Sequence, residues 1–367
     1  MQLCLYVFRP RFVSTDILFV LAAVFVQSEP RIFPEELWPG VLLRWKTFVG
    51  SQASRLFAER QRKRKMDRER LEGEVAARER RTLHEIVWAN DIDAIAAALG
   101  SGADVDERDE RMWTALHLAA VLGSTAVAVV LMDKGAGLNA REEHAWTPLH
   151  LSCQKEKSTE IATMLAERGA DLEAKTAEGW TPLHLCSQYG TTEIATMLAE
   201  RGVDLEAKEE DGWTPLHICS QHGTTEIATV LMERGSNVNA VTKDNATPLH
   251  VASGQGHVHI LEELLKHGAS IDFQDIRGNT ALHCATKKNQ QAVVSALLAR
   301  ATEELVNLTE KGGRTALHLA VSMKFESIAQ ALLDNGARVD IKDIVRARST
   351  LFCADSQLFF AGRKNSG

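Results

Sequence analysis

Apolar and polar positions along most of this chain fall into a repeating cycle. A short block with apolar residues at helical spacing starts at a threonine, and a second amphipathic block follows. A glycine and a polar stretch then lead to the next threonine. Thr82, Thr114, Thr147, Thr181, Thr214, Thr247, Thr280 and Thr315 open these cycles, at steps of 32, 33, 34, 33, 33, 33 and 35 residues. A sustained period near 33 residues marks a solenoid, in which each unit buries its apolar face only against its neighbours. Segments 159–175 and 192–208 differ only at Ala170 against Val203, which points to recent duplication.

Each cycle predicts two helices. Pro148, Pro182, Pro215 and Pro248 stand where a helix begins, where a missing N–H costs nothing, and the threonine before each one can cap. Gly190, Gly223 and Gly256 fit a left-handed turn after the first helix, and Asn90 and Asn289 can take the same role. The second helix, as in 193–201, turns Ile194, Met197 and Leu198 inward. It ends at Gly102, Gly135, Gly169, Gly202, Gly235, Gly268 or Gly336, with Ala301 near the corresponding place in the seventh copy. The polar stretch that follows must reverse the chain and is expected to form a β-hairpin finger. Copy three has Lys155-Glu156-Lys157 where a turn glycine belongs, with one residue inserted, and copy seven is two residues longer. The last copy runs into Ser349-Thr350-Leu351-Phe352-Cys353-Ala354, a degraded anchor that leaves Leu358, Phe359 and Phe360 without obvious cover.

The anchor reads Thr-Pro-Leu-His at Thr147, Thr181, Thr214 and Thr247. It reads Thr-Ala-Leu-His at Thr114, Thr280 and Thr315, and lacks its second residue at Thr82. This phrase resembles the T-P-L-H-x-A signature of the ankyrin repeat, over about residues 81–345. The resemblance implies an all-α ankyrin-repeat solenoid: antiparallel helix pairs side by side, β-hairpin fingers along one edge, and a concave groove between fingers and first helices. It also implies a protein-binding scaffold or adaptor. For His84, His117, His150, His184, His217, His250, His283 and His318 it implies tethering of neighbouring units by hydrogen bonds. The expected layout is a hydrophobic N-terminal region at 1–57, a charged helical or disordered linker at 58–80, the repeats at 81–345, and a degraded repeat with tail at 346–367.

Composition narrows the function. Of 367 residues, 45% are hydrophobic and 25% charged, which is globular rather than disordered. Residues 1–80 hold 15 basic and 10 acidic side chains, a balance of +5; the other 27 basic and 39 acidic leave −12 for the remainder. Nucleic-acid affinity comes from Lys and Arg neutralising phosphates, so an acidic solenoid argues against it. Most of the six cysteines sit in apolar helical positions, as small core residues in a reducing compartment do. Cys219-x-x-His222 and His257-x-His259 mimic ligand pairs, but a structural zinc needs four convergent ligands, and Cys186 repeats the Cys219 register. No phosphate loop and no nucleophile with a base at motif spacing is present. No enzyme, metal or cofactor is therefore expected.

Tryptophan is the anomaly. Trp113, Trp146, Trp180 and Trp213 each precede an anchor threonine, where the other copies have Arg81, Ala246, Asn279 and Arg314. By the resemblance this position lies at the finger base, facing the groove, so units two to five would present an aromatic ladder. Such rings supply much contact area with few rotors; equally, each can stiffen the stack by packing on a neighbouring finger. Gln154, Gln188, Tyr189, Gln221 and His222 end the first helices beside the ladder. Acidic fingers (Asp104, Asp106, Glu107, Asp109, Glu142, Glu143, Asp171, Glu173, Asp204, Glu206, Glu209, Glu210, Asp211) suggest a basic or amphipathic partner segment.

The head of the chain offers separate signals. Arg60-Gln61-Arg62-Lys63-Arg64-Lys65 is a nuclear signal, an acidic-lipid contact or a solvated face. Arg9 and Arg11 ahead of the apolar run 17–26 resemble a secretory signal over 1–28. Residues 12–50, with Trp38 and Trp45, suit interfacial anchoring. The main expectation is a cytoplasmic or nuclear protein; the alternative is a membrane-tethered one. Asn245-Ala-Thr and Asn307-Leu-Thr would be glycosylation acceptors only after export.

Overall fold

Each Thr-x-Leu-His anchor starts a helix because the threonine caps it and the next residues bury. The structure, a computed structural model, describes residues 82–343. The expectations for the signal, the membrane segment, the basic run and the C-terminal tail fall outside these residues. The helix pairs are α1 (Leu83–Trp88) with α2 (Ile92–Gly100), α3 (Ala115–Leu122) with α4 (Thr125–Asp133), and α5 (Pro148–Ser152) with α6 (Thr159–Glu167). Next come α7 (Pro182–Tyr189) with α8 (Thr192–Glu200), α9 (Pro215–His222) with α10 (Thr225–Glu233), and α11 (Pro248–Gln255) with α12 (Val258–Lys266). The series closes with α13 (Ala281–Lys287) and α14 (Gln291–Leu298), a four-residue α15 (Glu303–Val306), and α16 (Ala316–Ser322) with α17 (Glu326–Asp334).

First helices pack on first helices and second on second, α11 on α13 most extensively. The core is one continuous strip rather than a centre. Leu149, Leu183, Leu216 and Leu249 bury one register of the first helices, and Ile161, Ile194, Ile227 and Ile260 bury one register of the second. Each side chain removed from water in this way contributes about 1.5–3 kcal/mol. Because the partner surface always belongs partly to a neighbour, no pair can hold this core alone. Met197, expected inward, is half-buried, while Ala195 and Ala199 complete the buried face of α8.

The turns follow the sequence closely. Gly190, Gly223 and Gly256 take φ of 78°, 81° and 87°, and Asn90 and Asn289 both take 56°. Copy eight has Lys324 at this place with φ 60°. In copy three a 3-10 turn, Glu156–Ser158, absorbs the inserted residue. Lys155 and Lys157 reach back from it, and their ammonium groups donate to the Val121 and Leu122 carbonyls at 3.3 and 2.6 Å. A lysine at a helix C-terminus satisfies orphan carbonyls and suits the helix dipole.

The fingers differ from the β-hairpins expected. Among the described residues no extended strand forms, only an isolated bridge residue at Lys342. Each of these fingers is a tight reversal closed by two backbone bonds, Glu142 N–H to the Trp146 carbonyl at 3.0 Å with Ala145 N–H to the Glu142 carbonyl at 2.8 Å, and Thr176 N–H to the Trp180 carbonyl with Gly179 N–H to the Thr176 carbonyl, both at 2.9 Å. The polar linkers are too short to pair along their length, so bonds run between neighbouring fingers instead: Ala177 N–H to His144 O, Glu210 N–H to Glu178 O, and Lys243 N–H to Asp211 O. In copy seven the longer linker coils into α15.

Candidate functional site

The anchor histidines from His117 to His318 are buried at the boundary between units or next to it, His84 is half-buried, and the bonds of each inner ring fix its protonation. In His150, Nδ1 lies 3.2 Å from the Thr147 backbone N–H, while Nε2 lies 3.1 Å from the Trp180 carbonyl of the next unit. A backbone N–H only donates and a carbonyl only accepts, so Nδ1 is bare and Nε2 carries the proton. His117 bonds the Trp146 carbonyl in the same way, His184 that of Trp213, His217 that of Ala246, His250 that of Asn279 and His283 that of Arg314. Burial pushes His150, His184, His217 and His283 from the usual 6.5 down to about 4. These rings are neutral ties between units. His318 keeps its Thr315 contacts, but its buried Nε2 finds no hydrogen-bond partner among the described residues.

The tryptophan backbones are held at both ends. Each carbonyl receives a histidine from the preceding unit, the Trp113 carbonyl taking His84 at 2.8 Å. Each N–H is caught by a finger side chain: Asp109 for Trp113, Glu142 for Trp146, Thr176 for Trp180 and Glu209 for Trp213, at 2.8–3.1 Å. Each indole tilts against its own unit's histidine, with ring centroids 5.8–6.1 Å apart. All four side chains are half-buried. At the C-terminal ends of α7 and α9, Gln188, Gln221 and His222 are half-buried and Tyr189 is 49% exposed. Burial lowers the pKa of His222, and the neighbouring His257 adds to this.

The acidic fingers hold a ladder that sequence reasoning passed over. Five residues before each of seven anchors stands an acceptor: Asp109, Glu142, Thr176, Glu209, Thr242, Asp275 or Glu310. Six of them receive the backbone N–H four residues on, and Glu310 takes the Arg314 guanidinium instead, at 2.6 Å. A second ladder ties finger to finger: Asp106 accepts from Gly137, Asn139 from Asp171, Glu206 from Asn237 and Asn239 from Ser270. Burial raises the pKa of Glu173, Glu206 and Glu209, against the pull of the N–H groups they bind. Many finger carboxylates are therefore structural caps that spend part of their bonding capacity within the fold. The regular spacing of acceptor side chains was the available sequence signal.

Cys153, Cys186 and Cys219 are buried free thiols. Burial pushes Cys219 up to about 11 and Cys153 well above the usual value, which suits inert core residues. Among the described residues no three metal-capable side chains converge.

The histidine ties between successive units, repeated at one register, decide the family. The ankyrin-repeat family model (Ankyrin repeats, 3 copies) matches residues 83–176, 173–242 and 249–343. The chain belongs to the ankyrin-repeat family. Among solved structures it is similar to the ankyrin repeat domain of Bcl-3, described as a unique member of the IkappaB protein family. That likeness has 27% identity and a TM-score of 0.53, and covers 60% of this chain and 99% of that one. Matches extend to 554 solved chains, so the fold is widely shared and the function has to be argued from the site. No curated protein matches the sequence. Ankyrin repeats are generally protein–protein interaction modules, and their fold is typically non-catalytic. No helix among the described residues is long and apolar enough to cross a membrane.

Proposed function

We infer that this ankyrin-repeat protein is a scaffold or adaptor that holds a peptide segment of another protein across repeats two to five. The supporting observation is the set of Trp113, Trp146, Trp180 and Trp213: four indoles in one register, each incompletely buried on a backbone fixed at both ends. A ring held in place before binding loses little entropy on contact, and its remaining exposed area is available to an apolar or cationic side chain. Gln188, Tyr189, Gln221 and His222 form the polar border of this surface. Glu107, Glu143 and Glu210, which are exposed and accept no backbone bond within their own finger, favour a basic or amphipathic segment. Peptides selected from a displayed random library against the full chain test the reading. Aromatic or basic sequences are expected, and Trp146→Ala with Trp180→Ala weakens them about tenfold while helical circular dichroism holds. Undiminished binding by the double variant sinks the proposal.

A further inference from the structure

Beyond repeat five the same face changes its chemistry. At the tryptophan register stand Ala246, Asn279 and Arg314. The Gln188-Tyr189 and Gln221-His222 positions become Lys287 and Lys288 in repeat seven, both half-buried. The Lys287 ammonium donates to the Asn279 side-chain oxygen. Around it lie Asp275, Glu310 and Arg314 as electrostatic neighbours, and the exposed finger tips Arg277 and Lys311 meet through a 2.9 Å backbone bond.

Both carboxylates in this cluster are committed. Asp275 accepts the N–H groups of Arg277 and Asn279 at 2.8 and 2.7 Å, and the Asn279 amide at 2.8 Å. Glu310, buried to 8% exposure, is bonded by Arg314. With Arg314 held by Glu310, the lysines Lys287, Lys288 and Lys311 stand beside carboxylates whose bonding is largely used within the protein. Lys287 and Lys288 are half-buried and have lost part of their hydration. An anion seated beside them would replace the missing solvation.

We propose that repeats seven and eight form a cationic docking site for an acidic peptide segment, separate from the aromatic half. A polyphosphate chain is the less fitting occupant, because the rest of the described solenoid is acidic and would repel a strand running along it. The fingers before repeats two and five carry five carboxylates each, Asp104, Asp106, Glu107, Asp109 and Glu110 in the first and Asp204, Glu206, Glu209, Glu210 and Asp211 in the second. A short carboxylate-bearing segment engages the cluster without crossing them.

The test uses the full chain with Arg60→Gln, Arg62→Gln, Lys63→Gln, Arg64→Gln and Lys65→Gln, so that the basic run does not compete. Fluorescence anisotropy at low salt follows a labelled decaglutamate peptide and a single-stranded oligonucleotide of equal charge. Peptide binding is expected to be the tighter. Adding Lys287→Gln with Lys288→Gln weakens it about tenfold, the exposed Lys311→Glu alone weakens it severalfold, and Trp146→Ala with Trp180→Ala leaves it unchanged. Tighter oligonucleotide binding, no peptide binding, indifference to both lysine variants, or equal loss in the tryptophan variant would each overturn the proposal. Because the tryptophan variant reads the aromatic half separately, failure here does not touch the binding function proposed for repeats two to five.

Discussion

Repeats three to five and repeat eight share one anchor but differ in how fully their polar atoms are used. In repeats four and five, Thr191 and Thr224 begin the second helix and donate back to the Cys153 and Ser187 carbonyls of the preceding first helix, at 2.9 and 2.8 Å. In repeat eight that place is Phe325, which has no side-chain donor. Arg168, Arg201 and Arg234 bridge to Asp133, Glu167 and Glu200 on the preceding second helix; Asn335 occupies the matching place in repeat eight. His150, His184 and His217 each bond the next unit, while the Nε2 of His318 has no hydrogen-bond partner among the described residues. The apolar anchors recur in both regions. Burial thus sets the row of units, and polar cross-bonds are denser in its middle than at its last described unit.

Acid should break this comparison most severely. His150, His184, His217 and His283 are held at about 4 against 6.5 when free. A depressed histidine value means that the unfolded chain takes up protons first. The stability from the neutral rings is complete above pH 6.5, is lost as pH falls towards 4, and changes no further below that. Each ring accounts for up to about 3 kcal/mol, so the four together suffice to unfold the row within this window. The raised values of Glu173, Glu206 and Glu209 work in the opposite sense, but these groups are partly hydrated and offset little. Circular dichroism between pH 7 and 4 should show cooperative loss of helix; retention of full helicity at pH 4 would contradict the tie assignment.

A milder probe removes one tie at a time. His184→Ala orphans the buried Thr181 N–H and the Trp213 carbonyl and should cost about 3 kcal/mol in urea unfolding. His318→Ala forfeits only the local Thr315 contacts and should cost about half as much. Equal losses would mean that the inter-unit bond carries no weight. The smallest effect is expected from Arg201→Ala with Arg234→Ala, because those pairs are solvent-exposed and worth about 0.5 kcal/mol each. A thermal scan in low and high salt checks this, and a loss of several kcal/mol would mean that these ion pairs are more than a surface feature.

Much of this was legible beforehand. Thr147-Pro148-Leu149-His150 announces a capped helix start, and Gly190 and Asn289 announce left-handed turns, because local sterics decide both. The fingers were misread as β-hairpins because a polar stretch reports reversal without reporting how many bonds pair across it. Asp109, Glu142 and Glu209 looked like a docking charge, since an exposed carboxylate and one capping a backbone N–H have the same letter. The tryptophan register was plain in the sequence; that Trp146 is half-buried against His150 was not.

Taken alone, the sequence determined the period, the helix starts and turns, and the buried side of each helix, since these depend on residues within one turn of each other. Only the tertiary structure decided the histidine protonation, the finger geometry and the use of each carboxylate. The histidine ties and the finger-to-finger bonds depend on a carbonyl or N–H supplied by the neighbouring unit about 30 residues away, while the finger caps close on a group four residues on; a linear pattern records that such partners exist without recording where their dipoles point.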